Sequence, residues 1–186
     1  NPEATAEAID PDGWLHTGDI GVIDREGYLK ITDRKKHLLV SSGGKNIAPG
    51  PIEAALLHSP LIDQIMLIGD DRPYLTALIV PDFDVLKEVL QSQGINVGNI
   101  HDMAVREGVL DHDAAVLAVA ADIKRIQREL SAFERIRRFD LLPEAFTVEN
   151  HMLTPTLKVK RKEVEKAYSQ RIEKMYDASG APVFEL

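Results

Sequence analysis

The chain has 186 residues, and its 22 Lys and Arg stand against 30 Asp and Glu, a net charge of −8. So acidic a balance argues against general nucleic-acid binding, which needs a positive face to displace counterions. With no cysteine, disulfides, thiolate zinc sites and a cysteine nucleophile are excluded, and 44% apolar residues predict an ordinary packed core.

The first residues, Asn1 to Thr5, carry neither a basic segment nor an apolar one, so no secretory signal is expected. The chain reads as cut from something longer. Its longest uncharged apolar run, Ala114 to Ala121, has eight residues, against the roughly 20 needed for a membrane span. Residues 1–12 are small, acidic and proline-bearing, and predict a loop. Gly21 to Asp24 and Tyr28 to Ile31, joined through Gly27, predict a β-hairpin. Asp33 to Lys36 is a polar break, Leu38 to Val40 a short buried strand, and Ile47 a short extended piece. Pro51 suits a first helical turn, and Ile52, Ala55 and Leu56 predict a short helix over 51–58. Ile65 to Ile68 and Leu75 to Val80 form a second hairpin with a longer loop. Asp82 or Asp84 caps a helix over 84–92 that Gly94 ends.

Residues 94–112 are weakly patterned. Val116, Val119, Ile123, Ile126, Leu130 and Phe133 then recur at helical spacing and predict one long helix packed on the sheet. Asp111-His112-Asp113 marks its cap. Phe139 to Leu142 predicts a strand stopped by Pro143, residues 147–158 a loop or short strands, Lys160 to Asp177 one charged helix, and Ala178 onward a tail. Strands early and helices interleaved later predict an α+β fold with a small, mostly antiparallel sheet.

Four segments carry polar chemistry. Asp19 precedes the first hairpin; a carboxylate at a strand end can accept from vicinal hydroxyls, though by spacing alone it reads as a turn aspartate bonding its own backbone. Arg34 lies across that hairpin, where an acceptor and a guanidinium fork can meet. Ser41-Ser42-Gly43-Gly44-Lys45-Asn46 offers close backbone approach, as in phosphate nests, yet matches no P-loop and by itself reads better as a plain turn. Lys158, Lys160 and Lys162 lie just before a helix start, where cations are disfavoured without an anion. In an extended segment all three point one way, and periodicity does not choose among them. The six histidines show no ligand spacing, so no metal site is expected.

In this order the motifs Gly13 to Asp19, Gly27 to Lys36, and Gly43 to Pro49 with Ile52-Glu53 resemble the acyl-adenylate-forming superfamily of acyl-CoA synthetases, luciferases and adenylation domains. Ser41 to Pro49 and Leu153 to Arg161 resemble its long-chain fatty acid–CoA ligase branch. The resemblance implies that residues 1–33 end a large N-terminal adenylating domain, that 34–36 are a hinge about Lys36, and that 37–186 are the small C-terminal domain. It implies nucleotide binding by Asp19 and Arg34, and a pantetheine tunnel lined by Gly43, Gly44 and Lys45. It selects Lys158 as the lysine of the adenylation step. ATP, Mg2+ bound mainly by the missing domain, CoA and a fatty acid are the implied cofactor and substrates, with the missing domain in cis as partner. His37 stands where an acidic residue is frequent, a departure from the pattern.

These expectations describe part of an ATP-dependent ligase in the cytoplasm, with peripheral membrane contact in the parent, whose isolated fragment is inactive. Two alternatives stand beside it: a ligase loading a carrier protein, and a non-catalytic module of the same fold. A phosphate loop upstream of Asn1 would distinguish the enzyme from the module.

Overall fold

The computed structural model describes residues 1–96, 105–106, 109–110, 112–177 and 184–185. Most of the weakly patterned stretch and of the tail beyond 177 lie outside them. The centre is a four-stranded sheet of order β10-β9-β6-β5, with β5 at Ile62–Ile68, β6 at Leu75–Pro81, β9 at Ile136–Leu141 and β10 at Phe184–Glu185. β5 and β6 are the second predicted hairpin, antiparallel with Ile65 opposite Ile79. β9 runs parallel to β6, so the chain crosses over between them.

Both faces of this sheet are covered, which explains why β5 and β6 read as apolar runs rather than alternating strands. Ile65, Leu67, Ala77 and Ile79 face one core with Leu56, Leu86, Val119 and Ile123. Those partners come from α2 (Pro49–Leu56), α3 (Phe83–Ser92) and α4 (Asp113–Ile126). Met66, Ile68, Leu78 and Val80 face the other with Phe146, Val164, Ile172 and Met175, the last three from α5 (Arg161–Ala167) and α6 (Ser169–Tyr176). The α+β prediction holds, as helix, sheet, helix.

Of the two aspartates offered as the cap of α3, Asp82 is the one used. Its carboxylate accepts from the amides of Asp84 at 3.1 Å and Val85 at 3.0 Å. His112 caps α4, its Nδ1 accepting from the Ala115 amide at 3.2 Å.

Three predicted elements change. Residues 2–8 are helical, α1 (Pro2–Ala8), with Asn1 as cap and Pro2 in the first turn; the cap-then-proline signal was present, but a helix that buries nothing leaves no apolar period. The long helix stops at Ile126, seven residues short of Phe133. Beyond it the buried Gln127 side chain bonds both the amide and the carbonyl of Ile136, at 3.0 and 3.3 Å. That turn brings the chain into β9. The charged helix is two, broken at Tyr168, which lets Val164 and Ile172 both reach the sheet.

Ahead of this body stands the first hairpin, β1 (Asp19–Ile23) and β2 (Leu29–Arg34). Its Val22, Ile23, Leu29 and Ile31 are more than half exposed. Among the described residues there are also two shorter hairpins: β3 (Leu39–Val40) with β4 (Asn46–Ile47), and β7 (Val105–Arg106) with β8 (Val109–Leu110).

Candidate functional site

The first hairpin brings Asp19 and Arg34 together. They are register partners at its open end, and the guanidinium donates to the Asp19 carboxylate and, at 3.3 Å, to the Thr17 carbonyl. That hydrogen bond, with the charge behind it, lowers the Asp19 pKa below the usual carboxylate range. The result is an exposed, ionised acceptor beside a cation whose direction is fixed. A hollow beside Arg34 is lined by Thr17, Gly18, Arg34, Lys35 and Lys36.

Lys36 lies in a single turn of 3₁₀ helix, Lys35–His37, and is exposed. It lines a cleft with His37, Leu39, Asp70, Lys160 and Lys162. Asp33, a residue the sequence did not single out, ties the two sides of this turn. Its side chain is 6% exposed. One oxygen accepts from the Arg34 amide at 2.7 Å, the other from the Gly50 amide at 3.0 Å. Gly50 lies in the first turn of α2, where an anion complements the exposed N–H groups. His37 Nδ1 lies 3.9 Å from Asp33, so the departure at this position still faces a carboxylate.

Gly43, Gly44 and Lys45 form the turn between β3 and β4. The nest expected there is largely used internally: Gly44 donates to the Ser41 carbonyl at 2.8 Å, Lys45 to Ser41 Oγ at 3.1 Å, and Ser42 to the Arg72 carbonyl at 3.0 Å. Gly44 takes φ +74°, while a Cβ on Gly43 would meet only Ser41 Oγ at 3.8 Å. Lys45 Nζ lies 5.9 Å from the centre of the Phe133 ring. Beyond Phe133 a second cleft is lined by Lys124, Arg128, Arg135 and Arg137 over Gln127 and Ile136. Arg135 is held by the carbonyls of Leu130 and Arg128 at 2.9 and 3.1 Å. This concentration of cations, on a chain of net charge −8, is carried by the stretch 124–138 of the sequence.

The three lysines do not form an extended row. Lys158 closes a hairpin loop and is exposed, Lys160 caps α5, and Lys162 lies in its first turn. Arg161 accounts for the cation cluster at this helix start. It donates to Glu53 at 2.8 Å and to the Leu67 carbonyl, while Glu53 also accepts the Leu67 amide at 2.8 Å. Among the described residues no hydrogen bond or ion pair links Lys158 to Asp19 or Arg34.

Comparison with known proteins adds the following. Residues 36–180 match the family model described as AMP-binding enzyme C-terminal domain. Long-chain-fatty-acid–CoA ligase FadD15 of Mycobacterium tuberculosis is 39% identical over 178 residues, which cover 95% of this chain and 28% of that protein. Long-chain-fatty-acid–CoA ligase 6 of Homo sapiens is 37% identical over 182 residues, 96% of this chain and 25% of that protein. Among solved structures, the A domain of carboxylic acid reductase from Segniliparus rugosus, in complex with AMP and a co-purified carboxylic acid, is similar with a TM-score of 0.74 and 32% identity. It covers 94% of this chain and 25% of that one. The chain therefore spans a quarter to a third of the length of the curated relatives it matches.

Proposed function

This chain belongs to the family of AMP-binding enzyme C-terminal domains, and on that premise we propose that it is the small, mobile part of an ATP-dependent long-chain fatty acid–CoA ligase. The kinship along nearly the whole chain with long-chain ligases supports the substrate class. The observation that carries the nucleotide role is the Asp19–Arg34 pair. An ionised carboxylate with a fixed guanidinium neighbour suits the hydroxyls of a ribose and the phosphate next to it.

In this reading residues 1–33 end the large domain, and residues 34–36 pivot between it and 37–186. The exposed apolar faces of the first hairpin suit a sheet that continues elsewhere. Lys158 bridges the attacking carboxylate and the α-phosphate as negative charge builds there. After pyrophosphate leaves, rotation about Lys36 withdraws Lys158 and brings up the Gly43–Lys45 turn for the thiol of CoA. Mg2+ would be held with ATP mainly by the large domain. We place the parent in the cytoplasm.

A structural relative that includes a carrier domain, the A-PCP didomain of the same reductase, raises the carrier-loading alternative. The cations beyond Lys45 and Phe133 favour CoA, whose nucleotide end carries several phosphate charges. The expected result is that Arg128→Glu with Arg137→Glu in the full-length enzyme raises KM for CoA about a hundredfold or more, each charged hydrogen bond being worth roughly 1.5–3 kcal/mol. Adenylation, and thioester formation with pantetheine in place of CoA, stay at wild-type rates. Steady-state kinetics with the two acceptors measure this. Thioester formation on a carrier protein but not on CoA would overturn the CoA reading.

A further inference from the structure

Among the described residues, three non-glycine residues take positive φ: Asp71 at 53°, His151 at 63° and Leu157 at 58°. Asp and His reach this region more readily than most residues, whereas a bulky apolar residue there is an outlier. Leu157 immediately precedes Lys158. The loop has the bonding of a three-residue hairpin. Leu153 and Val159 bridge across it, Thr154 donates to the Lys158 carbonyl at 2.8 Å, and Leu157 donates to the Thr154 carbonyl at 2.8 Å. The Lys158 amide adds a bond to Thr154 Oγ1 at 3.0 Å. The last residue of such a loop is left-handed and calls for glycine. Leucine stands there instead, strained in its backbone and 72% exposed. Burial in this chain therefore does not account for it, and observed strain of this kind points to function.

We propose that Leu157 is a positioning residue for Lys158, its side chain seating the loop against the large domain when the lysine is delivered. This rests on the functional reading above. The occupant is the remainder of the enzyme, since more than two-thirds of the first curated relative lies outside the matched length. Leu57, 46% exposed, lines the same groove as Leu157, together with Leu153 and Val159, and extends the apolar seat.

The test uses Leu157→Gly, Leu157→Asn and Leu157→Met. In the 186-residue chain, Leu157→Gly leaves the thermal midpoint unchanged or raises it, because the strain is relieved. In the full-length enzyme, Leu157→Gly and Leu157→Asn lower kcat of pyrophosphate release about ten- to a hundredfold, as loss of positioning does. KM for ATP and thioester formation from supplied acyl-adenylate are unchanged, and Leu157→Met restores the rate. Three results overturn the proposal: wild-type kcat in Leu157→Gly, wild-type kcat in Leu157→Asn, or a lowered midpoint in Leu157→Gly, which would make the residue a packing one. Lys158→Ala is the control. If it retains adenylation, the functional reading itself fails; if it loses adenylation while Leu157→Gly does not, only this inference does.

Discussion

Lys158→Ala in the full-length enzyme is expected to slow acyl-adenylate formation by about 10² to 10³, or 2–4 kcal/mol of transition-state stabilisation, and to leave the thioester step nearly untouched. The reason is where the charge develops. During adenylation, negative charge accumulates on the α-phosphate and the leaving pyrophosphate, and an ammonium at that point acts only in the transition state. In the proposed reading, AMP is the leaving group of thioester formation, and the small domain turns before that step. The Gly43 turn and Lys158 both follow Lys36, 115 residues apart in sequence, so in that reading one rotation would exchange them. A substitution at the turn should therefore impair the other step. Gly44 is a poor place for it, since φ +74° would strain any side chain. Gly43→Leu is better, because the added Cβ meets only Ser41 Oγ at ordinary contact distance. It should slow thioester formation and spare adenylation. Single-turnover kinetics of the two half-reactions measure both effects. Equal impairment of both steps by Lys158→Ala would end the alternating-domain reading.

Much of this was legible in local pattern. The second hairpin announced itself because both faces of β5 and β6 are buried, and the Asp19–Arg34 pair followed from the return of a hairpin to its own start. What escaped is non-local or masked by coincidence. The parallel pairing of Leu75 with Ile136 spans 61 residues, and no local period encodes it. Leu130 and Phe133 keep helical spacing beyond Ile126, but spacing says nothing about the Gln127 side chain that captures the Ile136 backbone. Arg161 finds its partner in Glu53, 108 residues earlier, which no local pattern encodes. Lys158 stood out from its neighbours only through family resemblance. A left-handed leucine carries no sequence signal, because glycine is what such a loop predicts.

The largest stability effect is expected at Asp140 and Arg171, which join β9 to α6. Arg171 Nε and Nη2 donate to the two carboxylate oxygens at 2.5 and 2.9 Å, with the side chains 13% and 5% exposed. Burial pushes the Asp140 carboxyl up, against the pull of the arginine. Replacing Arg171 by Met leaves a buried carboxylate without its strong partner and should cost about 3–5 kcal/mol. For a chain of this size that is a drop of roughly 6–20 °C in Tm. Replacing both, Arg171→Met with Asp140→Leu, removes the stranded charge and should recover most of the loss. The pH dependence has a definite sign. A carboxyl whose pKa is higher folded than unfolded binds its proton more tightly in the native state. Its contribution is therefore most favourable at low pH and falls as pH rises from the unfolded value through the folded one. Arg171→Met raises the folded value further, so its deficit should narrow on acidification from pH 7 towards pH 4, as Asp140 takes up the proton that replaces the arginine. Chemical denaturation of the two variants and the wild type at pH 7 and pH 4 measures this. The consequence reaches function because Asp140 stands just before Leu142 and Phe146, where the chain leaves the sheet for the loop carrying Lys158. The Gln64 side chain pins that segment, bonding the Phe146 amide at 2.6 Å and its carbonyl at 3.1 Å. Loosening the pair at one end of this span should therefore lower the adenylation rate before it unfolds the domain.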